Sequence, residues 1–187
     1  MYAPSTTREM ARYRDARSIT TMTYSRYLMN PEKISALFGE IPEVTETRLR
    51  SINLNWRGPT VTLRVDLPGF PQRAPQEWID AGMDTVQCHF QFLAVHNLSL
   101  RRWDPPTDAR FETERLTVRQ GMHVSAVGTG VDLSFDSSDS VLVGHLSAFR
   151  SHPDGSDDGP HMYVSRVDSR RHTSLPQTDE KTFYERL

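Results

Sequence analysis

The chain has 187 residues, a length typical of one domain, and 36% of them are hydrophobic, which suffices for a core. Its 22 basic and 24 acidic residues give a net charge of −2, which indicates neither a nucleic-acid-binding patch nor a strongly acidic decoy. The single cysteine, Cys88, excludes a disulfide framework and a cysteine-based zinc site, and it favours a reducing cytoplasm. No apolar run approaches the roughly 18 residues that a membrane span needs.

The N-terminal region begins with residues 1–22, which carry four arginines and no apolar stretch of the kind that a secretory signal has. We expect these residues to be a disordered extension, or the result of an upstream start codon with Met22 as the true start. A short helix follows, because Asn30 is a good N-cap and Gly39 suits the position after the last helical turn. Its apolar stripe consists of Ile34, Leu37 and Phe38.

Alternating apolar and polar residues predict a series of short strands after this helix. The predicted strands are residues 52–56, 61–67, 84–95, 98–102, 111–118, 122–127, 131–135 and 141–149. His96-Asn97 is expected to form a two-residue turn, and residues 74–78 are expected to form one helical turn that lays Trp78 on the sheet. In the strand after Asp84, one face carries Val86, Cys88, Phe90 and Phe92, and the other carries Gln87, His89 and Gln91.

About eight strands at this spacing favour an α+β fold that is mostly β, namely an antiparallel sheet, a sandwich or a half-barrel with a short N-terminal helical segment. The domain is expected to span residues 23–150. The composition changes after it, because residues 153–160 read as a linker and residues 165–185 are mostly polar. We expect residues 151–187 to be a polar tail, disordered or loosely docked. The alternative is that Met162, Tyr163 and Val164 add an edge strand.

Chemistry-bearing residues are present, but no motif groups them. His89, His123 and His145 lie on strands that a zinc ion could join, yet no spacing typical of a metal site occurs. Glu112 and Glu114 share one strand face and are interpreted as solvated residues rather than as an acid–base pair. Gly128-Thr129-Gly130 joins two predicted strands, which is typical of a hairpin and not of a phosphate-binding loop. The sequence therefore predicts no enzyme, no metal and no cofactor.

The most informative block lies between Leu67 and Trp103. Its residues, in order, are Leu67-Pro68-Gly69-Phe70-Pro71, Pro75-x-x-Trp78, Gly82-x-Asp84-Thr85-Val86-Gln87, Leu98-x-Leu100 and Trp103. This order resembles the immunity protein 50 family of bacterial polymorphic-toxin systems, although Asp84 stands where the family pattern has Asn. The resemblance covers roughly residues 24–149.

This resemblance implies a cytoplasmic immunity protein that binds a cognate toxin domain stoichiometrically and blocks it without catalysis. It implies no nucleic-acid or membrane partner, and the oligomeric state stays open. Trp103 belongs to the family pattern and is therefore expected to cap the sheet, whereas specificity is expected at exposed polar positions and in the loop 104–110. The predicted partner-binding residues are Arg64, Asp66, Gln87, His89, Gln91, Arg101, Arg102 and Asp104.

A second hypothesis is a β-sandwich or half-barrel that binds a small ligand or carbohydrate in a concave apolar cleft. Trp56, Trp78 and Trp103 could line such a cleft, and finding them exposed together would favour this hypothesis. Finding them dispersed in the core would count against it.

Overall fold

The fold is a single curled β-sheet. The computed structural model of the chain describes residues 24–55, 58–117, 119–164 and 170. Within these residues, nine strands form one sheet in the order β4-β7-β6-β5-β1-β2-β3-β8-β9, and each neighbouring pair is antiparallel. The sheet curls into a half-barrel, which confirms the predicted mostly-β α+β class.

The helices are short and the strands account for most of the ordered backbone. A 3-10 helix spans Tyr24–Tyr27, and two α-helices follow, α1 (Glu32–Phe38) and α2 (Gln76–Asp80). None of the helices in the described ranges has the length and apolar character of a membrane span. The strands are β1 (Glu46–Asn55), β2 (Thr60–Leu67), β3 (Thr85–Phe92), β4 (His96–Trp103), β5 (Thr107–Arg115), β6 (Met122–Gly128), β7 (Val131–Ser137), β8 (Val141–Phe149) and β9 (Met162–Tyr163).

The inner, concave face of the sheet holds the hydrophobic core. Alternation along each strand sends one set of apolar side chains inward, and each buried aliphatic or aromatic side chain stabilises the fold by about 1.5–3 kcal/mol. The rings of Phe92 on β3 and Phe135 on β7 meet at 5.1 Å between centroids, although these two strands are not neighbours in the sheet. This contact across the inside is a direct consequence of the curl. The buried core includes Leu49, Leu63, Val65, Met122, Val124, Leu133, Val143 and Leu146.

Asn30 ties α1 to the sheet rather than capping it. Its side-chain nitrogen donates to the Val143 carbonyl at 2.9 Å and its oxygen accepts from the Val143 N–H at 2.8 Å. The helix begins after Pro31 without a side-chain cap. At its other end Gly39 has φ = 78° and donates to the Ser35 carbonyl, which matches the expected glycine stop.

The predicted helical turn around Trp78 is confirmed. Residues Gln76–Asp80 form α2, and Trp78 is fully buried. Pro75 is the N-cap of α2 and has the extended ψ, 141°, that is usual for the residue before a helix.

The predicted turn at His96-Asn97 is wrong. β3 ends at Phe92 and β4 begins at His96, and β4 pairs with β7 instead of folding back on β3. Asn97 has the positive φ expected of a turn residue, 52°, but its side chain donates to Asp136 of β7 at 2.8 Å. Asn97 therefore has the backbone conformation of a turn residue, but the pairing of β4 with the distant strand β7 determines the path of the chain.

Residues 151–164, which the composition assigned to the tail, lie against the outer face of the sheet and include the edge strand β9. Their start is held by Asp84, whose carboxylate accepts from both the N–H and the hydroxyl of Ser151 at 2.9 Å. We call residues 151–164 the covering segment. Residues 1–22, and the remainder of the tail apart from Arg170, lie outside the described residues.

Candidate partner-binding surfaces

The predicted polar face of β2 and β3 exists as a surface of the sheet. Arg64 lies opposite His89, and Asp66 lies opposite Gln87, in the antiparallel register of the two strands. Gln91 continues the same row, opposite Thr62. Side chains on one strand alternate strictly between faces, so the alternation in the sequence was sufficient to predict that these residues share one face of the sheet.

The expectation that Gln87 and His89 are exposed is wrong, because Gln87 is only 1% exposed and His89 only 3%. The covering segment lies over Gln87, whereas His89 packs edge-on against His145 of β8. The Gln87 amide donates to the Asp157 carboxylate at 3.0 Å. Two of the eight predicted partner-binding residues are therefore buried, and Gln87 stays so while the covering segment is in place.

Beneath the covering segment lies a network of buried charges. Arg50 donates from Nε and NH2 to the two oxygens of Asp66, at 2.6 and 2.7 Å, and its NH1 lies 3.3 Å from Asp157 Oδ1. Arg64 NH1 lies 3.4 Å from the second oxygen of Asp157. One carboxylate from the covering segment thus bridges two arginines and Gln87, an arrangement in which hydrogen bonds are charge-assisted.

A β-bulge positions Arg50 for this role. The pairing of β1 with β2 shifts between Leu49 and Ser51, so Arg50 is the extra residue. Bulges of this kind re-aim a side chain. Arg50 also donates to the Gly155 carbonyl at 3.1 Å, and its guanidinium carbon lies 4.7 Å from the centroid of the Phe149 ring, a cation–π distance.

The buried charges shift one another's pKa values. Burial alone would raise the pKa of Asp157, but the Gln87 hydrogen bond and the charges of Arg64 and Arg50 bring it below its usual range. Burial lowers the pKa of Arg64 despite the nearby Asp157. For Arg50, burial is also the largest influence, yet the hydrogen bond and charge of Asp66 outweigh it and raise the pKa. Both arginines are therefore cations held in place by carboxylates.

His161 anchors the other end of the covering segment. Its ring stacks on Phe149 at 5.1 Å, its Nδ1 lies 3.1 Å from the Ser147 hydroxyl, and its Nε2 lies 3.1 Å from the Asp157 carbonyl. Burial lowers the pKa of His161, against the opposing effect of Asp157. The ring therefore favours the neutral form more than a solvated imidazole does.

A second surface lies at the opposite edge of the sheet, where β4 ends. Arg101, Arg102, Trp103 and Asp104 are all exposed there, and Trp103 keeps 38% of its surface in solvent. Arg102 donates to the Thr129 carbonyl at 3.3 Å, and the Asp104 N–H donates to the Gly130 carbonyl at 2.8 Å. The three predicted residues at this strand end are therefore open to solvent, and Trp103 is less buried than a sheet cap would be.

A cavity of about 280 Å³ opens into the inner face of the half-barrel. Its walls are mostly apolar, with two glutamates and two threonines among the lining residues. The aromatic walls are held in place, since Tyr24 meets Phe90 edge-on at 5.3 Å and donates its hydroxyl to the Pro42 carbonyl at 2.7 Å. The apolar and aromatic lining consists of Tyr24, Val44, Phe90, Phe92, Phe111, Met122, Val124 and Val141.

The tryptophans are not gathered around this cavity. Trp78 is buried with α2 and Trp103 is exposed on β4, while Trp56 lies outside the described residues. The two described tryptophans therefore give no support to a tryptophan-lined carbohydrate cleft.

The predicted histidine positions separate into two places. His89 and His145 meet edge-on with 5.3 Å between ring centroids, whereas His123 lies on β6 and contacts Asp136 at 2.7 Å. Within the described ranges, no three or more His, Cys, Asp or Glu side chains are grouped as metal ligands would be. The Glu112 side chain is 42% exposed and pairs with Arg110 of its own strand at 2.9 Å.

Three residues of the network were missed by reasoning from sequence. Arg50 lay before the predicted strand 52–56, and nothing local signals a bulge. Asp157 and His161 lay in a segment whose composition is typical of a linker. The polar face of β2 and β3 could have indicated that another segment covers it, because buried polar side chains need hydrogen-bond partners from elsewhere in the chain.

Comparison with known proteins gave one match. A family model described as Immunity protein 50 matches residues 30–141, which run from the start of α1 to the start of β8. No curated protein and no solved structure matches the chain.

Proposed function

The chain belongs to the immunity protein 50 family, and we propose that it binds a cognate toxin domain of a bacterial polymorphic-toxin system and neutralises it by stoichiometric binding in the cytoplasm. The observation that carries this proposal is the family match over residues 30–141. We further propose that the protein acts without catalysis, cofactor, nucleic acid or membrane. Steric blocking needs only a rigid surface of about 800 Å² on each partner.

The open end of β4 is the surface that we propose for first contact with the toxin. Trp and Arg are the residue types that most often anchor protein interfaces, and Arg101, Arg102 and Trp103 are exposed at three consecutive positions of this edge strand. Asp104 adds an acceptor of opposite charge beside them. We keep residues 23–150 as the proposed domain, with Arg64, Asp66 and Gln91 as further contact candidates on the partly covered face.

Co-expression with the toxin domain encoded beside this gene tests the proposal. We expect the toxin-producing cells to survive, and we expect the two proteins to purify as a complex of equal stoichiometry. If the toxin still kills the cells and calorimetry detects no complex of the two proteins, the proposal is wrong.

Substituting Trp103 tests the surface. We expect Trp103→Ala to weaken toxin binding about tenfold or more, which corresponds to about 1.4 kcal/mol, because a partly exposed Trp loses its apolar contact area. The matched control is Ile79→Ala on α2, a 53% exposed apolar residue away from β4. Equal affinity of both variants and the wild type, measured by calorimetry, would exclude this surface.

The inner cavity favours a second function, the binding of a small apolar molecule. A cavity of about 280 Å³ is larger than the roughly 150 Å³ that holds benzene in an engineered protein core. Calorimetry with indole and with n-hexanol tests this function, and Val141→Phe should abolish the binding because it fills the cavity. Absence of binding for both probes to the wild type would dismiss it.

A further inference from the structure

Arg50, Arg64 and Gln87 form a carboxylate-binding arrangement on three adjacent strands of the sheet. Their donors converge on Asp157 at 3.3, 3.4 and 3.0 Å. Without Asp157, the buried group consists of two guanidinium cations and one carboxylate, Asp66, and carries a net positive charge. Such a group favours an acidic occupant.

The present occupant satisfies this site incompletely. Gln87 Oε1 and Arg64 Nε are buried and have no hydrogen-bond partner among the described residues. A buried polar atom without a partner costs free energy, so native structures seldom leave one. A carboxylate can accept from Arg64 Nε, but only a donor such as a backbone N–H can satisfy Gln87 Oε1.

Residues 151–160 of the covering segment are attached by polar contacts, whereas His161 stacks on Phe149 and Tyr163 is buried. Residues 151–160 contain no aliphatic or aromatic side chain other than His152 and the prolines. Backbone pairing of the covering segment with the sheet is confined to its last residues, where Met162 and Tyr163 pair with β8 and the Val164 N–H donates to the Leu146 carbonyl at 3.4 Å. Water can replace hydrogen bonds and ion pairs of this kind, which makes residues 151–160 easier to displace than β9 with its buried Tyr163.

We propose that the site formed by Arg50, Arg64 and Gln87 docks an acidic segment of the partner protein, which takes the place of residues 153–158 and their Asp157. The inference rests on the proposed function, since the partner is the toxin. In the free protein, the covering segment acts as an internal competitor, so the apparent affinity equals the intrinsic affinity multiplied by the fraction of molecules in which the segment is not seated.

A probe that needs no toxin tests the site itself. The probe is a hexaglutamate peptide, titrated by calorimetry into the full-length protein. We expect measurable binding to Asp157→Ala, at least tenfold weaker binding to the wild type, and none to the double variant Asp157→Ala, Arg64→Ala. Asp158→Ala, which removes the neighbouring exposed carboxylate, should behave as the wild type. An Asp157→Ala protein that is folded by circular dichroism and does not bind the peptide would overturn the inference.

The toxin complex tests displacement. We expect Asp157→Ala to bind the toxin about tenfold more tightly than the wild type, because the competitor is lost, and Arg64→Ala to bind it at least tenfold more weakly. In the wild-type complex, hydrogen exchange of residues 153–158 should become faster than in the free protein. If the wild type binds the toxin but this segment keeps its protection and Arg64→Ala has no effect, the inference fails while the proposed function stands. If no complex forms at all, the proposed function fails, and the hexaglutamate titration still decides whether the site exists.

Discussion

At the scale of single residues, Arg50 shows how one inserted residue changes which side chains a strand presents on its outer face. The bulge adds Arg50 to the outer face, where Asp66, Asp157, the Gly155 carbonyl and the Phe149 ring surround its guanidinium. A buried cation is tolerated only with partners of this kind. The residue therefore links the sheet to the covering segment.

Removing Arg50 should be costly. We expect Arg50→Ala to lower the free energy of unfolding by about 3–5 kcal/mol, because Asp66 is left as an unpaired carboxylate in a largely buried position. Arg110→Ala is the matched control. It breaks an exposed pair with Glu112 and should cost no more than about 1 kcal/mol. Urea unfolding of both variants measures the difference, and similar losses in the two would contradict the role given to Arg50.

At the scale of elements, Gly128 sets how closely the β6–β7 hairpin approaches β5. A Cβ at this position would lie 2.0 Å from the backbone oxygen of Asp108, which cannot move without opening the sheet. This agrees with the interpretation of Gly128-Thr129-Gly130 as a hairpin connection, since β6 ends at Gly128 and β7 begins at Val131.

Gly128→Ala should therefore destabilise the protein by about 1–3 kcal/mol or more, as overpacked positions do. Gly58→Ala serves as the control, because a Cβ there meets nothing within 4 Å, and its effect should stay within about 0.5 kcal/mol. Thermal unfolding followed by circular dichroism distinguishes the two. A Gly128→Ala protein as stable as the wild type would show that β5 and β6 can separate freely.

At the scale of the whole molecule, docking of the covering segment should make stability depend on pH. The folded state lowers the pKa of His161 below its ordinary value of about 6.5. Between that lowered value and about 6.5, the unfolded chain binds more protons than the folded one, so stability falls as the pH falls through this window. Above it, the contribution of His161 is fully present. Asp66 has the opposite effect on stability. Burial raises its pKa above the ordinary value of 3.8, so its contribution to stability falls as the pH rises between that value and the raised one.

Replacing His161 measures how much of the pH dependence of stability comes from this residue. We expect the free energy of unfolding of His161→Gln to change less between pH 7.5 and pH 5 than that of the wild type. His152→Gln, on the exposed part of the same segment, should retain the wild-type slope. Urea unfolding at several pH values provides the comparison, and parallel curves for His161→Gln and the wild type would rule out titration of His161 as a cause.

The sequence by itself determined the strand pattern, the two faces of β2 and β3, the buried Trp78 and the family. The strand pattern and the two faces follow from local alternation, which a short window of the chain reveals. The position of Trp78 and the family follow from the order of Pro, Gly, Trp and Leu residues between Leu67 and Trp103. Only the tertiary structure decided that β4 pairs with β7 and not with β3, that Arg50 turns outward, and that Asp157 covers Gln87. The physical reason is that periodicity fixes which way a side chain points, whereas strand order and burial depend on which distant segment lies against it.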